Sequence, residues 1–500
     1  MDANTFDLDQ VLINFSGHDG STPFTIRDAV EGVTIFGSNG SGKSSGSFRT
    51  FAHKYLAKNF GGLILTVKKS EKDDWLEYLR QTDRMKDLIL VEPGGDYHFN
   101  FLEYEAAQKA GGRAISENLA LVIETVIDSN EEKDRGQSSD TFWKDSLHHL
   151  VVNILDLCVL AYDNVSVRAL YDIALTVPKK GQKPEDKPKP NSFGHAFQAA
   201  KEKIRQQEKE FTESLSGEEK KKLSDDDDYY DNLIVENIPD AALFRSLDQF
   251  FTDYYRNLAE KTRGIIDFCF IGFLFRLLRE PIYSLFCRHT SNFSPEDCLN
   301  GKIILLNVPT KLYHKAGRDI QVAFKYIWQR AMERRNVSDN SRPVFLFADE
   351  AQEFLHTHDV SYQATARSSR ICTIYITQNL SSYHANMGGV KSEHRVNSFL
   401  GTLGTKIFHS NSDVQTNNYA SELIGSAYTE DHSSTSTMAG KFSSTRGMSY
   451  KLERMMRPEE FTNLKTGGKR NNYMVEGIIH RQGDPFHNGL RFKKITFKQI

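Results

Sequence analysis

The sequence predicts an α/β fold, a mostly parallel central sheet interrupted by an inserted all-α domain. Three observations predict it. Short apolar, β-branched runs alternate with helical periodicity near both ends of the chain, which is the pattern of repeated βα units. Residues 105–258 between them carry no strand signal. The first of the apolar runs ends in a glycine-rich turn that opens a helix, a place where backbone N–H groups gather to hold anions.

Along the chain, Val33-Thr-Ile-Phe36 is the first such run, and Ser44 to Lys58 follows at helical spacing. Leu63 to Val67 and Leu88 to Val91 are further strands, separated by a helix around Trp75 to Leu79. Residues 1–104 therefore form the first part of the sheet domain. Within 105–258, Leu119 to Ile127 and Trp143 to Leu160 repeat apolar residues every three or four positions, as buried helices do. The stretch from Lys179 to Asp231 alternates prolines with blocks of like charge; it reads as a solvated excursion with one exposed helix near 195–215 or, as the alternative, a partner-docking element. Residues 259–500 return to the sheet pattern with strands at 302–307, 344–348 and 371–376 and helices near 315–335 and 358–369. Ser433 to Ser449 is rich in Ser, Thr and Gly and reads as a mobile loop, within a flexible segment at about 430–449, before a short β-rich tail.

Composition sets bounds. The chain has 500 residues, 39% hydrophobic and 26% charged, which suits two or three soluble structural units and excludes overall disorder. A net charge of −3 gives no global sign of a nucleic-acid binder, so any such surface is a local patch or the lining of an assembly. The five cysteines are scattered without the close pairs of a zinc site and read as reduced thiols. Asp156, Asp267 and Arg276 interrupt the longest apolar stretches, and the N-terminus lacks a secretory pattern; a cytoplasmic protein without membrane insertion is expected.

Two motifs carry chemistry. Gly37-Ser38-Asn39-Gly40-Ser41-Gly42-Lys43-Ser44 fits G-x-x-x-x-G-K-[ST] and stands between a strand and a helix, as a phosphate-binding loop requires. Its N–H groups, with Ser45 continuing the run, cradle phosphates; Lys43 reaches the β- and γ-phosphates, and the Ser44 hydroxyl binds Mg²⁺. Pro343 to Glu350 is a buried strand that delivers Asp349 and Glu350 to the sheet edge where α/β proteins hold ligands. Asp349 suits the Mg²⁺ shell, and Glu350 suits polarising the attacking water of ATP hydrolysis. The next strand ends in Thr377-Gln378, an amide able to bond the γ-phosphate or the water.

With these residues in view, the chain resembles the conjugative coupling-protein ATPases of type IV secretion, TraG/TraD-like, within the FtsK/HerA group of ring-forming motors. Besides the phosphate loop, the likeness includes Leu63 to Lys69 with Glu92 to Leu102, similar to the family's "P…NPL" segment. It includes Phe142-Trp143 opening a helix and Phe293 to Asp297 before a strand. Ala366 to Gln378 is close to "GRSRG…TQ". The resemblance implies a RecA-like P-loop NTPase domain, ATP and Mg²⁺ as cofactors, and a hexameric ring passing DNA, with a relaxase-type or effector protein as partner. It gives Arg367 the role of an arginine finger entering the neighbour's site, with Arg370 as runner-up. Departures are Thr66-Val-Lys68-Lys-Ser-Glu71 where the family has "DPKGE", the missing N-terminal membrane helices, and the charged excursion.

The expected function is an ATP-driven DNA translocase acting in conjugation, mobile-element processing or anti-phage defence. Lys68, Lys69, Lys391 and Arg395 are the candidate contacts to DNA phosphates. The alternative is an ATP-gated oligomeric scaffold that recruits an effector without moving DNA. A monomeric P-loop kinase is disfavoured, since no acceptor pocket or lid signature appears.

Overall fold

The computed structural model describes the chain except residues 1–5, 18–19, 109–113, 132–139, 183–186, 218, 220–226, 388–391, 439–441, 484, 487–488 and 500. It divides into two compact units, one formed by Met1–Ile89, Pro295–Leu306 and Trp328–Ile500, the other by Leu90–Ser294 and Asn307–Ile327.

Thirteen strands are described: β1 (Val11–Gly17), β2 (Gly20–Thr25), β3 (Val33–Phe36), β4 (Gly61–Leu65), β5 (Leu88–Val91), β6 (Ile303–Leu306), β7 (Val344–Ala348), β8 (Ile371–Thr377), β9 (Thr405–Phe408), β10 (Ser426–Met438), β11 (Phe442–Arg454), β12 (Met474–Arg481) and β13 (Phe492–Lys498). Eleven form one sheet in the order β2-β1-β13-β12-β9-β3-β8-β7-β4-β6-β5. The run from β9 through β3, β8, β7 and β4 to β6 is parallel. Every residue of β3, β4, β6, β7, β8 and β9 is buried. Strands covered on both faces need continuous apolar sequence, which is why these segments read so clearly.

Order and register decide what the sheet presents. β8 lies between β3 and β7, with Phe36 opposite Thr377 and Ala348 opposite Tyr375. β4 pairs on the far side of β7, with Leu65 opposite Ala348. Four strands thus end close to one level, so Gly37, Gln378, Asp349 and Thr66 emerge side by side.

The antiparallel extension is less legible. β9 pairs antiparallel with β12, β12 with β13, β13 with β1, and β1 with β2. The opening of the chain is therefore a hairpin before the first βα unit. Pro23 sits in β2 at the sheet edge, where a missing N–H costs no ladder bond.

Residues 433–449, expected as a mobile loop, instead lie largely in an antiparallel ribbon of β10 and β11, pairing from Ser426 opposite Arg454 to Met438 opposite Phe442. Ser and Thr recur through both strands, with Tyr428 and Tyr450 among them and no proline, so the ladder forms despite the loop-like composition.

The second unit is helical. Helix Ala114–Glu131 buries Leu119, Val122, Ile123, Val126 and Ile127, and helix Asp140–Tyr162 buries Leu147, Leu150, Val151, Ile154 and Leu155. Arg276 Nε donates to Asp319 at 2.6 Å; that carboxylate is fully buried. The helix expected to be exposed near 195–215 is Phe193–Ser214; its charged face is solvated, while Phe193, Ala196, Ala200 and Ile204 are buried on the other. Part of the charged excursion lies outside the described residues. No single described helix is long and apolar enough to cross a membrane.

Candidate nucleotide-binding and hydrolysis site

The loop after β3 is shaped by its glycines. Gly40 and Gly42 adopt φ of 75° and 85°, the left-handed region that side chains resist. At Gly42 space is also closed: a Cβ would lie 2.5 Å from Val475 Cγ2 and 3.1 Å from the Thr466 carbonyl oxygen. The loop is tied to neighbouring strand tips, Gly37 N–H donating to Thr377 O at 3.3 Å and Ser38 N–H to Ser410 O at 3.0 Å. Ser44–Phe48 forms a π-type turn, with Phe48 N–H reaching Lys43 O at 3.0 Å, before a regular helix Arg49–Ala57. Such turns occur often at functional sites. Beneath it, His409 Nδ1 donates to Glu476 O at 2.8 Å, which leaves Nε2 to accept from Ser47 Oγ at 2.8 Å. Burial holds this imidazole down at about 4, so it is neutral.

The acidic pair arrives as β7 ends. Ser44 Oγ donates to Asp349 Oδ2 at 3.3 Å, bringing the hydroxyl and carboxylate expected to hold Mg²⁺ together. Burial raises the Asp349 carboxyl, with Lys43 opposing. Glu350 sits at φ 52°, ψ 50°, a left-handed backbone for a residue with a side chain. Strain of this kind persists where surroundings impose it. Here they do: Gln352 Nε2 donates to Glu350 Oε2 at 2.9 Å, Gln378 Nε2 to Oε1 at 3.1 Å, and Lys68 Nζ lies 4.0 Å from Oε1. Burial would raise this carboxyl, but the two amides and the charges of Lys43 and Lys68 outweigh it and keep Glu350 below the ordinary glutamate range. It is an ionised, oriented acceptor, as activation of a water requires.

Three participants have no strong signal in the sequence. Gln352 is itself held by Thr377 Oγ1 at 2.8 Å. Asn411, after β9, donates to Gln378 O at 2.8 Å and accepts from Ser38 Oγ at 3.1 Å, linking the amide's strand tip to the phosphate loop. Glu71 accepts from Val67 N–H at 2.9 Å and Lys68 N–H at 3.2 Å. It lines a cavity of about 300 Å³ with Ser44, Ser45, Arg49, Trp75 and Asp349. Burial, then the Asp349 charge, push its carboxyl up to about 8. The segment that departs from "DPKGE" thus supplies polar contacts of its own, through Lys68 and Glu71. A spacing argument could have singled out Gln352, two residues after Glu350; Glu71 and Asn411 become visible only through strand order.

Other expected residues are apart from this cluster. Arg367 is 58% exposed in its side chain, with Nη1 3.2 Å from Glu31 Oε1. Arg370 donates to the Phe6 carbonyl at 2.6 Å and is engaged within its own chain. Both precede β8, whose seven residues span about 20 Å at the usual rise, so neither is near the phosphate loop of the same chain. Lys68, Lys69 and Arg395 are all exposed, and Lys68 Nζ also lies 4.0 Å from Glu350 Oε1. Lys391 lies outside the described residues.

Residues 343–466 match the family model described as the TraM recognition site of TraD and TraG. That segment holds Asp349, Glu350, Arg367 and Gln378. A search of curated proteins finds no significant sequence match. Among solved structures, the unbound bacterial conjugative coupling protein TrwBdeltaN70 matches with a TM-score of 0.59 at 13% identity, over 97% of this chain and 90% of its own. TrwB bound to the non-hydrolysable ATP analogue ADPNP matches at 0.58 and 12% identity, over 97% and 89%. TrwB with ADP and Mg²⁺ matches at 0.54 and 12%, over 96% and 87%. At such identities the shared property is the fold, which extends through both units of the chain.

Proposed function

We propose, for a chain of the coupling-protein ATPase type by its fold and its 343–466 segment, that it hydrolyses ATP in a site completed by a neighbouring subunit and uses the energy to move DNA. The observation that carries this reading is the convergence on one sheet edge of the phosphate loop, the Ser44–Asp349 contact at 3.3 Å and a Glu350 held between two amides.

The loop N–H groups and Lys43 bind the triphosphate. Ser44 and Asp349 fit Mg²⁺ because a hydroxyl and a carboxylate oxygen already adjoin; the metal, when bound, neutralises phosphate charge. Glu350 orients the water and accepts its proton, and Gln378, which donates to that carboxylate, is assigned to the γ-phosphate or the water. Arg367, exposed at the opposite end of β8, serves a neighbour's site rather than its own. Lys69 and Arg395, with Lys391, are assigned to DNA phosphates; a hexameric ring and a relaxase-type partner complete the reading, and the match of residues 343–466 to a TraM recognition site supports a protein partner.

The test is ATP hydrolysis with and without DNA, using Arg367→Ala and Glu350→Gln separately and mixed. DNA stimulation, retained nucleotide binding in both variants and partial recovery of activity on mixing support the shared motor site. Equal hydrolysis with and without DNA removes the translocase part; no recovery in mixed rings that form removes the trans arginine.

A further inference from the structure

The antiparallel extension of the sheet brings a second segment to the phosphate loop. β12 and β13 pair from Met474 opposite Lys498, so Tyr473 and Gln499 meet at the end of the hairpin, where Gln499 N–H donates to Tyr473 O at 2.7 Å. Before β12, residues 466–473 form a compact loop. Tyr473 N–H returns to Gly468 O at 2.8 Å, and Asn471 Nδ2 donates to Gly467 O at 3.1 Å. Gly467, Gly468, Asn472 and Tyr473 all have positive φ, from 51° to 85°. Two left-handed residues with side chains in succession are costly, and such strain collects at ligand-binding loops.

This loop touches the phosphate loop at two points. Thr466 O and Val475 close the space over Gly42. Gln499 Nε2 donates to Ser45 Oγ at 2.6 Å, while its Oε1 accepts from Gly468 N–H at 2.7 Å. The second bond fixes which end of the amide is oxygen. Gly467 has to lack a side chain for this: a Cβ there would meet Gln499 Oε1 at 2.2 Å.

The position matters because a phosphate loop has a direction. Lys43 and Ser44 serve the β- and γ-phosphates, so the α-phosphate and the nucleoside leave past Ser45. At that exit stand Gln499, with a second amide hydrogen beyond the one on Ser45, and a loop carrying the exposed Lys469, Arg470 and Tyr473, the last 45% exposed. An amide donor suits a sugar or α-phosphate oxygen, an aromatic face suits a purine, and the cations suit the ligand's charge.

We propose that residues 466–473 and Gln499 form the nucleoside subsite, recognising the ribose and base of the triphosphate that the phosphate loop holds. This rests on the ATP-binding reading above. It separates two tasks on one ligand: phosphates are read by residues 37–45, and the nucleoside by the loop that β12 and β13 deliver.

The experiment titrates the full chain with Mg-ATP and with magnesium tripolyphosphate, which has the phosphates and no nucleoside. The wild type binds both. Gln499→Ala and Tyr473→Ala are expected to weaken ATP binding about tenfold, the loss of one good contact, while tripolyphosphate affinity stays within about twofold by the same reasoning. Equal losses for both ligands, or no loss of ATP affinity in either variant, overturn the subsite, since the loop would then only brace Gly42 and Ser45. Failure of the wild type to bind either ligand overturns the ATP-binding reading itself. Thermal unfolding of each variant excludes loss by misfolding.

Discussion

Gln352 touches neither the phosphate loop nor any expected phosphate, yet its replacement tests the hydrolysis site most directly. Its Nε2 bonds Glu350 Oε2 at 2.9 Å and its Oε1 accepts from Thr377 Oγ1 at 2.8 Å, so it stands between the glutamate and the tip of β8. Gln352→Met keeps the volume and removes both bonds. A hydrogen bond to a charged group contributes about 1.5–3 kcal/mol. At about 1.4 kcal/mol per tenfold, losing the aim it gives Glu350 lowers kcat by roughly 10- to 100-fold. The loss is partial, because the Gln378 bond at 3.1 Å remains. KM for ATP is expected to hold, since the loop and Lys43 are intact. A second signature follows from charge. Burial works to raise the Glu350 carboxyl, and the Gln352 amide is the foremost contact opposing it. Glu350 must be ionised to act, so the acid limb of kcat lies below the ordinary glutamate value in the wild type and moves to higher pH in Gln352→Met. The assay is steady-state phosphate release across pH with saturating ATP. An unchanged kcat, or a loss confined to KM, refutes the positioning role.

Three further outcomes are expected. Lys43→Ala abolishes nucleotide binding, measured by titration with ATP, because no other side chain of the loop carries positive charge. Gly42→Ala forces a Cβ to 2.5 Å from Val475 at φ 85°; binding is lost, and Val475→Ala in the same chain restores it only in part, since space returns but the strain of about 1–3 kcal/mol does not. Glu71 has a folded-state pKa of about 8 against 4.5 for an ordinary glutamate. The folded chain therefore holds a proton that the unfolded chain releases, and this contribution, present below pH 4.5, is lost as pH rises toward 8. Denaturant unfolding of nucleotide-free protein is expected to show Glu71→Gln with a flatter pH profile and greater stability than wild type at pH 8; parallel profiles would count against a protonated Glu71.

What the sequence reveals divides along a physical line. The phosphate loop is legible because phosphates demand contiguous backbone donors, so Gly37 to Ser44 carry the requirement in one stretch. β3, β7 and β8 are legible because burial on both faces demands unbroken apolar runs. The partners of those residues are not contiguous. Glu71 reaches Asp349 only because β4 pairs with β7, and Asn411 reaches Ser38 only because β9 pairs with β3. Composition misleads for residues 433–449, where Ser and Thr satisfy a cross-strand ladder as readily as a loop.

Strand order also explains why one strand carries so much of the site. β8 is fully buried between β3 and β7, and close packing of this kind transmits displacement rather than absorbing it. At its C-terminal tip, Thr377 O accepts from Gly37 N–H, Thr377 Oγ1 holds Gln352, and Gln378 holds Glu350. Before its N-terminal end stand Arg370, anchored to Phe6, and Arg367, exposed beside Glu31. In the ring proposed above, the arginine assigned to a neighbour's nucleotide and the two amides bonded to Glu350 are thus attached to opposite ends of the same stiff element. In that ring a change of nucleotide felt at Arg367 reaches Glu350 along the seven buried residues of β8 and then through hydrogen bonds, from Thr377 to Gln352 to Glu350 and from Gln378 to Glu350. Thr377→Val, which keeps the strand and removes the hydroxyl that holds Gln352, is then expected to lower the DNA-stimulated rate while leaving ATP affinity unchanged, and a loss of affinity with an unchanged rate would break the path at that residue.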